Sequence, residues 1–278
     1  MKQKELPEGW KSPLERWTFA LRAAGRTDQT IETRTEAIRR FAHHIGAGNP
    51  ALVSRARLIE WAGSHQWAPE TRRSVYASLR GFYSFLYESG AISEDISAAL
   101  PHVAAGIPRP RPADDATYRR ALENADNRTH VILRLAGEAG MRRAEIAAVN
   151  ANDLFRDLCG DTIRVHGKGR RDRFVPLTDS LAYEVRAVIQ AGGSQWLLPS
   201  PAGGHLTARH VGRLAGRVLT APYTLHTLRH RFATTVHEKT HDLRAVQELL
   251  GHASVATTQR YVAISADALR EAARSAAI

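Results

Sequence analysis

Cysteine is nearly missing from this chain: among 278 residues only Cys159 carries a thiol. An internal disulfide is therefore excluded, as is any thiolate-rich zinc or iron–sulfur site, and a reducing compartment fits better than a secreted one. Long apolar runs are lacking as well. No stretch approaches the ~18 residues needed to cross a bilayer, and the amino-terminal MKQKELPEGW has no signal-peptide hydrophobic segment. A soluble, cytoplasmic protein with no membrane partner is expected. Internal repeats and low-complexity tracts are absent, and so is a nucleotide-binding P-loop. Gly167-Lys168-Gly169 lacks both the earlier glycine and the Ser or Thr after lysine that such a loop needs.

Acidic residues are outnumbered. Lysine and arginine total 39 against 28 Asp and Glu, for a net charge of +11 and a pI near 10.4. A partner rich in phosphate follows, because basic side chains displace the counterions of a polyanion. The basic residues are spread along the chain rather than gathered in a tail, so such a partner meets folded surface.

Residues 12 to about 100 read as helices throughout. In SPLERWTFALRAAG, Leu14, Trp17 and Leu21 share a stripe, with Ser12 as N-cap and Gly25 as stop. In TIETRTEAIRRFAHHIG the stripe is Ile31, Ile38, Phe41 and Ile45, ending at Gly46; a third helix is expected in ALVSRARLIEWAG. The fourth begins near Pro69 and lines up Val75, Leu79, Phe82, Phe85 and Leu86. Four such stripes make a small helical bundle. From Pro101 to Asp115 closely spaced prolines forbid helix and favour an extended connector, in which Arg109 and Arg111 read either as phosphate contacts or as solvated linker charges. The domains are accordingly expected at 1–103 and 116–278, joined by a linker at 104–115.

The second half opens with helices around RTHVILRLAGEAG and AEIAAVNANDL and then changes period. In TIRVHGKGRRDRFVPL, Ile163 and Val165 alternate on one arm and Phe174 lies on the other, around a Gly-Lys-Gly turn, which reads as a β-hairpin. Helices resume at TDSLAYEVRAVIQ. The fold class expected is mainly α, an amino-terminal helical bundle followed by an α+β domain with a small β-hairpin or sheet.

One spelling misleads. His237-Glu238-x-x-His241 is the pattern by which one helix holds zinc and a glutamate base. A zinc site needs both histidines on an uninterrupted helical face. Asp242, however, reads as the N-cap of a fresh helix whose stripe is Leu243, Val246, Leu249 and Leu250, which leaves His241 in a turn. No metal is expected.

The stretches around it carry more. His226 and Arg229 are three apart, on one helical face. Leu249-Leu250-Gly251-His252 ends a helix at a glycine and presents a histidine, and Tyr261 follows nine positions later. Upstream, Arg142 and Glu145 are also three apart, and the hairpin turn exposes Lys168.

In this order the stretches resemble the tyrosine recombinase family, the phage integrases and Xer-type recombinases. Arg142 with Glu145 match the first arginine box, Lys168 the hairpin lysine, His226-x-x-Arg229 the second box, His252 the Leu-Gly-His histidine and Tyr261 the nucleophile. The resemblance implies a helical bundle of the SAM-like kind that binds core DNA and a catalytic domain with a carboxyl-terminal tail helix. It also implies cleavage and rejoining of duplex DNA at a specific core site through a 3′-phosphotyrosine, without metal, ATP or other cofactor. Integration or excision of a mobile element is the first expectation, and Xer-like resolution of chromosome or plasmid multimers the second. A DNA-binding regulator that has lost catalysis is the competing class.

The residue types fit that chemistry. Two guanidinium forks, Arg142 and Arg229, clamp the nonbridging oxygens of a phosphodiester under attack. A tyrosine hydroxyl loses its proton as it attacks, and the departing 5′ oxygen needs one, for which Lys168 is the donor. His226 and His252 bond the phosphate or move the nucleophile's proton, and Glu145 orients its neighbours. Each has a plainer reading when taken alone: Tyr261 as a packed aromatic, Lys168 as a solvated turn residue, His252 as a helix C-terminal cation, Glu145 as a surface partner of Arg142. Arg34, Arg72, Arg73 and Arg80 on the bundle, and Arg170 and Arg171 in the turn, are candidate DNA contacts. The tail has Leu269, Ala272 and Ala273 on one face after a Ser265 cap, which by itself reads equally as cover for its own core; the resemblance implies that it packs onto a neighbouring subunit, in a tetramer on two synapsed sites. A directionality factor is a further partner the resemblance allows. The chain starts almost directly at the bundle, which points to simple core sites rather than distant arm sites.

Overall fold

The computed structural model describes residues 5–104, 111–167 and 172–252. The chain divides into two compact units, Met1–Ile107 and Pro108–Ile278. The first is a helical bundle of α1 (Glu8–Ala23), α2 (Asp28–Ile45), α3 (Arg55–Gly63) and α4 (Pro69–Glu88). Its core is aromatic: Trp10, Phe41, Phe82 and Tyr83 are fully buried, with Phe41 edge-on to Trp61 at 4.6 Å between ring centres. The stripes expected on α2 and α4 face this core, although Phe85 is only half-buried. α2 stops at Gly46 and α3 is capped by Ser54, whose hydroxyl accepts from the Arg57 amide.

Ser12 is not an N-cap. α1 begins at Glu8, because Trp10 extends the Leu14–Trp17–Leu21 stripe backward and anchors it by donating its indole N–H to the Ala47 carbonyl at 2.7 Å. A buried indole with a satisfied donor outweighs a favourable capping residue.

The second unit contains α5 (Asp115–Glu123), α6 (Asn127–Gly137), α7 (Arg143–Ala147), β1 (Leu154–Asp157), β2 (Gly160–Val165), β3 (Arg173–Pro176), α8 (Asp179–Ala191), α9 (Ala208–Ala215), α10 (Leu225–Thr240) and α11 (Leu243–Leu250). α6 runs through its centre, with Ile132, Leu133, Leu135 and Ala136 inaccessible to solvent and α8, α9 and α10 packed around it. The sheet is antiparallel in the order β1-β2-β3, with Ile163 opposite Val175 and Val165 opposite Arg173. The expected pairing of β2 with β3 is present, while Lys168, Arg170 and Arg171 in the turn lie outside the described residues.

AEIAAVNANDL is not one helix. α7 lasts five residues before Asn150 takes over: its side chain accepts from the Asn152 amide, and Asp153 accepts from the Asn150 amide at 3.0 Å and side chain at 2.9 Å. Asn and Asp offer the backbone bonds that compete with helix, and the chain turns through a short 3₁₀ segment, Ala151–Asp153, into β1.

Candidate active site

Four segments of the second unit converge: the loop 140–142 leading into α7, the start of β3, the first turns of α10 and the carboxyl end of α11. Gly140 allows the approach. Its φ is +61°, and a Cβ there would stand 2.5 Å from Phe232 and 3.0 Å from Leu250. Gly140→Ala should therefore lower stability by about 2 kcal/mol through left-handed strain and overpacking combined. Urea denaturation reads this, and an unchanged midpoint would contradict it.

Glu145 is the hub. Buried in the first turn of α7, it accepts the Arg142 amide and guanidinium, each at 2.7 Å, and both arms of the Arg173 fork at 2.9 and 2.8 Å. Burial alone would raise its pKa; the Arg173 fork and the Arg142 donors reverse this and hold the carboxyl at about 2. Arg229 stands 3.8 Å away on the same side.

Arg229 is 1% exposed, a position a charged residue occupies only with acceptors around it. Its guanidinium donates to the Gly140 carbonyl, to the Leu250 carbonyl at 2.8 Å and to His252 Nε2 at 3.0 Å. Arginine cannot accept, so Nε2 of His252 is the acceptor and the ring's proton resides on Nδ1. Burial first, then the charges of Arg229, Arg142 and Arg173, push the His252 pKa down to about 4. His252 is thus a neutral imidazole at pH 7, not a helix C-terminal cation.

A Schellman turn delivers that histidine. Gly251, at φ +62°, donates to the Glu248 carbonyl, and the His252 amide to that of Gln247. A Cβ on Gly251 would meet Arg173 Cδ at 2.8 Å, so glycine is required by conformation and by space. His226, exposed in the first turn of α10, is also held below the ordinary histidine range, first by partial desolvation and then by the Arg229 and Arg142 charges.

The structure therefore brings together Arg142, Glu145, Arg229 and His252, with His226 on the helix that carries Arg229. Arg142, 41% exposed, and His226 form an open rim over a buried floor of Arg229, His252, Glu145 and Arg173. Lys168 and Tyr261 lie outside the described residues, as does the whole tail with Ser265, Leu269, Ala272 and Ala273. Arg173 escaped the sequence reading. Its signal was present: it shares the inward register of β3 with Val175, where a buried arginine demands a carboxylate.

His237 and His241 do not form a zinc face. α10 ends at His241, a left-handed residue at φ 54°, and Asp242 caps α11 by accepting the Arg244 and Ala245 amides. Among the described residues no cluster of three or more His, Cys, Asp or Glu is arranged to hold a metal ion. No described helix is long and apolar enough to cross a membrane. A hollow of about 690 Å³ beside His130, Tyr183 and Glu184 involves none of the convergent residues.

On the bundle, Arg73 pairs with Glu70 at 3.0 Å, Arg72 donates to the His65 carbonyl, and Arg80 donates to the carbonyls of Leu100 and Pro101. Arg34 borders one hollow and Arg73 with Arg80 another, both shared by Ser74 and Ala77 of α4.

Residues 114–267 match the phage integrase family. Tyrosine recombinase XerD of Rhizobium meliloti (strain 1021) is 32% identical over 286 residues, covering 93% of this chain and 91% of that protein. Tyrosine recombinase XerC of Bacillus subtilis (strain 168) is 35% identical over 231 residues, covering 72% of this chain and 73% of that protein. The chain belongs to the phage integrase family of tyrosine recombinases. Two solved structures share its fold. A lambda integrase dimer bound to a COC′ core site has a TM-score of 0.70 at 18% identity, over 90% of this chain and 76% of that one. XerH recombinase bound to difH substrate in a pre-cleavage complex has a TM-score of 0.66 at 22% identity, over 94% and 83%.

Proposed function

We propose that the protein cuts and rejoins duplex DNA at a specific core site, with Tyr261 as nucleophile. Its hydroxyl oxygen attacks phosphorus, a 3′-phosphotyrosine forms, the bond to the 5′ oxygen breaks, and that oxygen takes a proton from Lys168. The ester is kept as a protein linkage, so the reverse attack by a 5′ hydroxyl reseals a strand without ATP. Arg142 and Arg229 stabilise the charge that develops on the nonbridging oxygens. His226 and His252, neutral at pH 7, supply hydrogen bonds and proton movement rather than positive charge. Glu145 orients both arginine boxes. The observation that carries this reading is the convergence of Arg142, Glu145, Arg229 and His252 at hydrogen-bond and ion-pair distances.

Arg34, Arg72, Arg73, Arg80, Arg170 and Arg171 are proposed to contact phosphates, and the tail to link four subunits on two synapsed sites. Integration or excision of a mobile element is the role proposed, with a directionality factor as a further partner. Xer-like resolution of multimers is the second reading, favoured by relatives named XerC and XerD at 32–35% identity.

The test is a nicked suicide duplex containing the cognate site. A complex that survives denaturant, with the DNA-bearing peptide mapping to Tyr261, is expected, and chelator should leave it unchanged. No covalent complex, with binding intact, would instead identify a DNA-binding regulator. Linkage at another residue would overturn the assignment of Tyr261.

A further inference from the structure

The last β2–β3 register pair is Val165 with Arg173, so the next step outward places His166 opposite Asp172. His166 Nδ1 stands 3.2 Å from Asp172 Oδ1, and Nε2 stands 2.7 Å from Asp153 Oδ1. An ionised carboxylate only accepts, so a ring between two of them bonds both only when both nitrogens carry protons. Asp153 is a fixed anchor: it is 1% exposed, and its other oxygen accepts from the amide and side chain of Asn150. Among the described residues the further charge in the group is Arg164, whose Nε lies 3.6 Å from the same Asp153 oxygen.

We propose that His166, as the cation between Asp153 and Asp172, is a positioning residue that ties the base of the Lys168 turn to the buried 3₁₀ segment and makes strand cleavage sensitive to pH. This rests on reading Lys168 as the donor to the 5′ leaving oxygen. The hydrogen bond to Asp153, opposed by some desolvation and aided by Asp172, raises the imidazole pKa above its ordinary value. The clamp is therefore complete at low pH. As pH rises through the folded value, the ring keeps one proton, one contact becomes acceptor against acceptor, and one end of the clamp releases. Ionisation of the tyrosine nucleophile would change the rate in the opposite direction.

Single-turnover cleavage of the suicide duplex across about pH 5 to 9 tests this. The wild type should lose about tenfold above the His166 titration, a fraction of the ~10²–10⁴ that a positioned acid contributes. His166→Gln should be low throughout, with no such limb, and Asp172→Asn should move the limb to lower pH. A substrate with sulfur at the bridging 5′ position departs as a thiolate that needs no proton, and on it the deficit of His166→Gln should vanish. A wild-type profile in His166→Gln, or a deficit that persists on the sulfur substrate, overturns the proposal.

Proton NMR reads the clamp separately. The His166 pKa should lie above the ~6.5 of a free imidazole and fall in Asp172→Asn. A value at or below that overturns the clamp. A raised value in a wild-type protein that forms no covalent complex overturns the strand-transfer reading and the role assigned to His166 with it, while leaving the clamp standing.

Discussion

Arg229→Lys should cut single-turnover strand cleavage by about 10²–10³-fold, the loss typical of removing one donor from a preorganised anion-stabilising site. DNA binding should remain close to wild type, since affinity for the duplex is distributed over many phosphate contacts. The reason lies in the fork. Arg229 simultaneously serves the carbonyls of Gly140 and Leu250 and the acceptor nitrogen of His252, so one planar group fixes the loop, the end of α11 and the histidine's tautomer. A lysine keeps the charge but presents a point donor on a flexible stem, which cannot hold those acceptors in that geometry. Leaving a buried carbonyl unsatisfied costs about 1–3 kcal/mol, so a thermal melt belongs beside the kinetics. A folded Arg229→Lys protein that cleaves at the wild-type rate would remove Arg229 from the proposed chemistry.

The parts of this molecule that were legible in the sequence are those where one local rule dominates. The α2 stripe and its stop at Gly46 were readable because periodicity and a left-handed glycine agree. The break between His241 and α11 was readable because Asp242 is a strong cap. β1 was not, because Leu154 is half-buried and Phe155, Arg156 and Asp157 are exposed, which gives an edge strand no alternation to detect. The start of α1 was missed where a tertiary contact, Trp10 on Ala47, prevailed over capping preference. The arginine boxes were visible as spacings, but the group that organises them was only half visible. Glu145 reads locally as a partner of Arg142; its bidentate hold on Arg173, 28 residues away, exists only once the sheet has formed.

That long-range pair makes Glu145→Gln the substitution with the largest expected effect on stability. A glutamine would set an amide N–H against arginine donors and leave the buried Arg173 without its counter-charge, and breaking a buried pair from one side costs about 3–5 kcal/mol. Cleavage should fall by about 10²-fold as Arg142 loses the carboxylate that aims it. Acidification separates electrostatics from packing. The Glu145 pKa is depressed from 4.5 to about 2 by folding, so its contribution is fully present above the unfolded value and is lost as pH falls from 4.5 toward 2. A depression of that size corresponds to roughly 3 kcal/mol at neutral pH. Urea denaturation of both proteins should show a wide gap at pH 7 that narrows through this window, because a protonated Glu145 resembles the glutamine. A gap that stays constant with pH would mean that the side chain's shape, rather than its charge, holds the arginines in place.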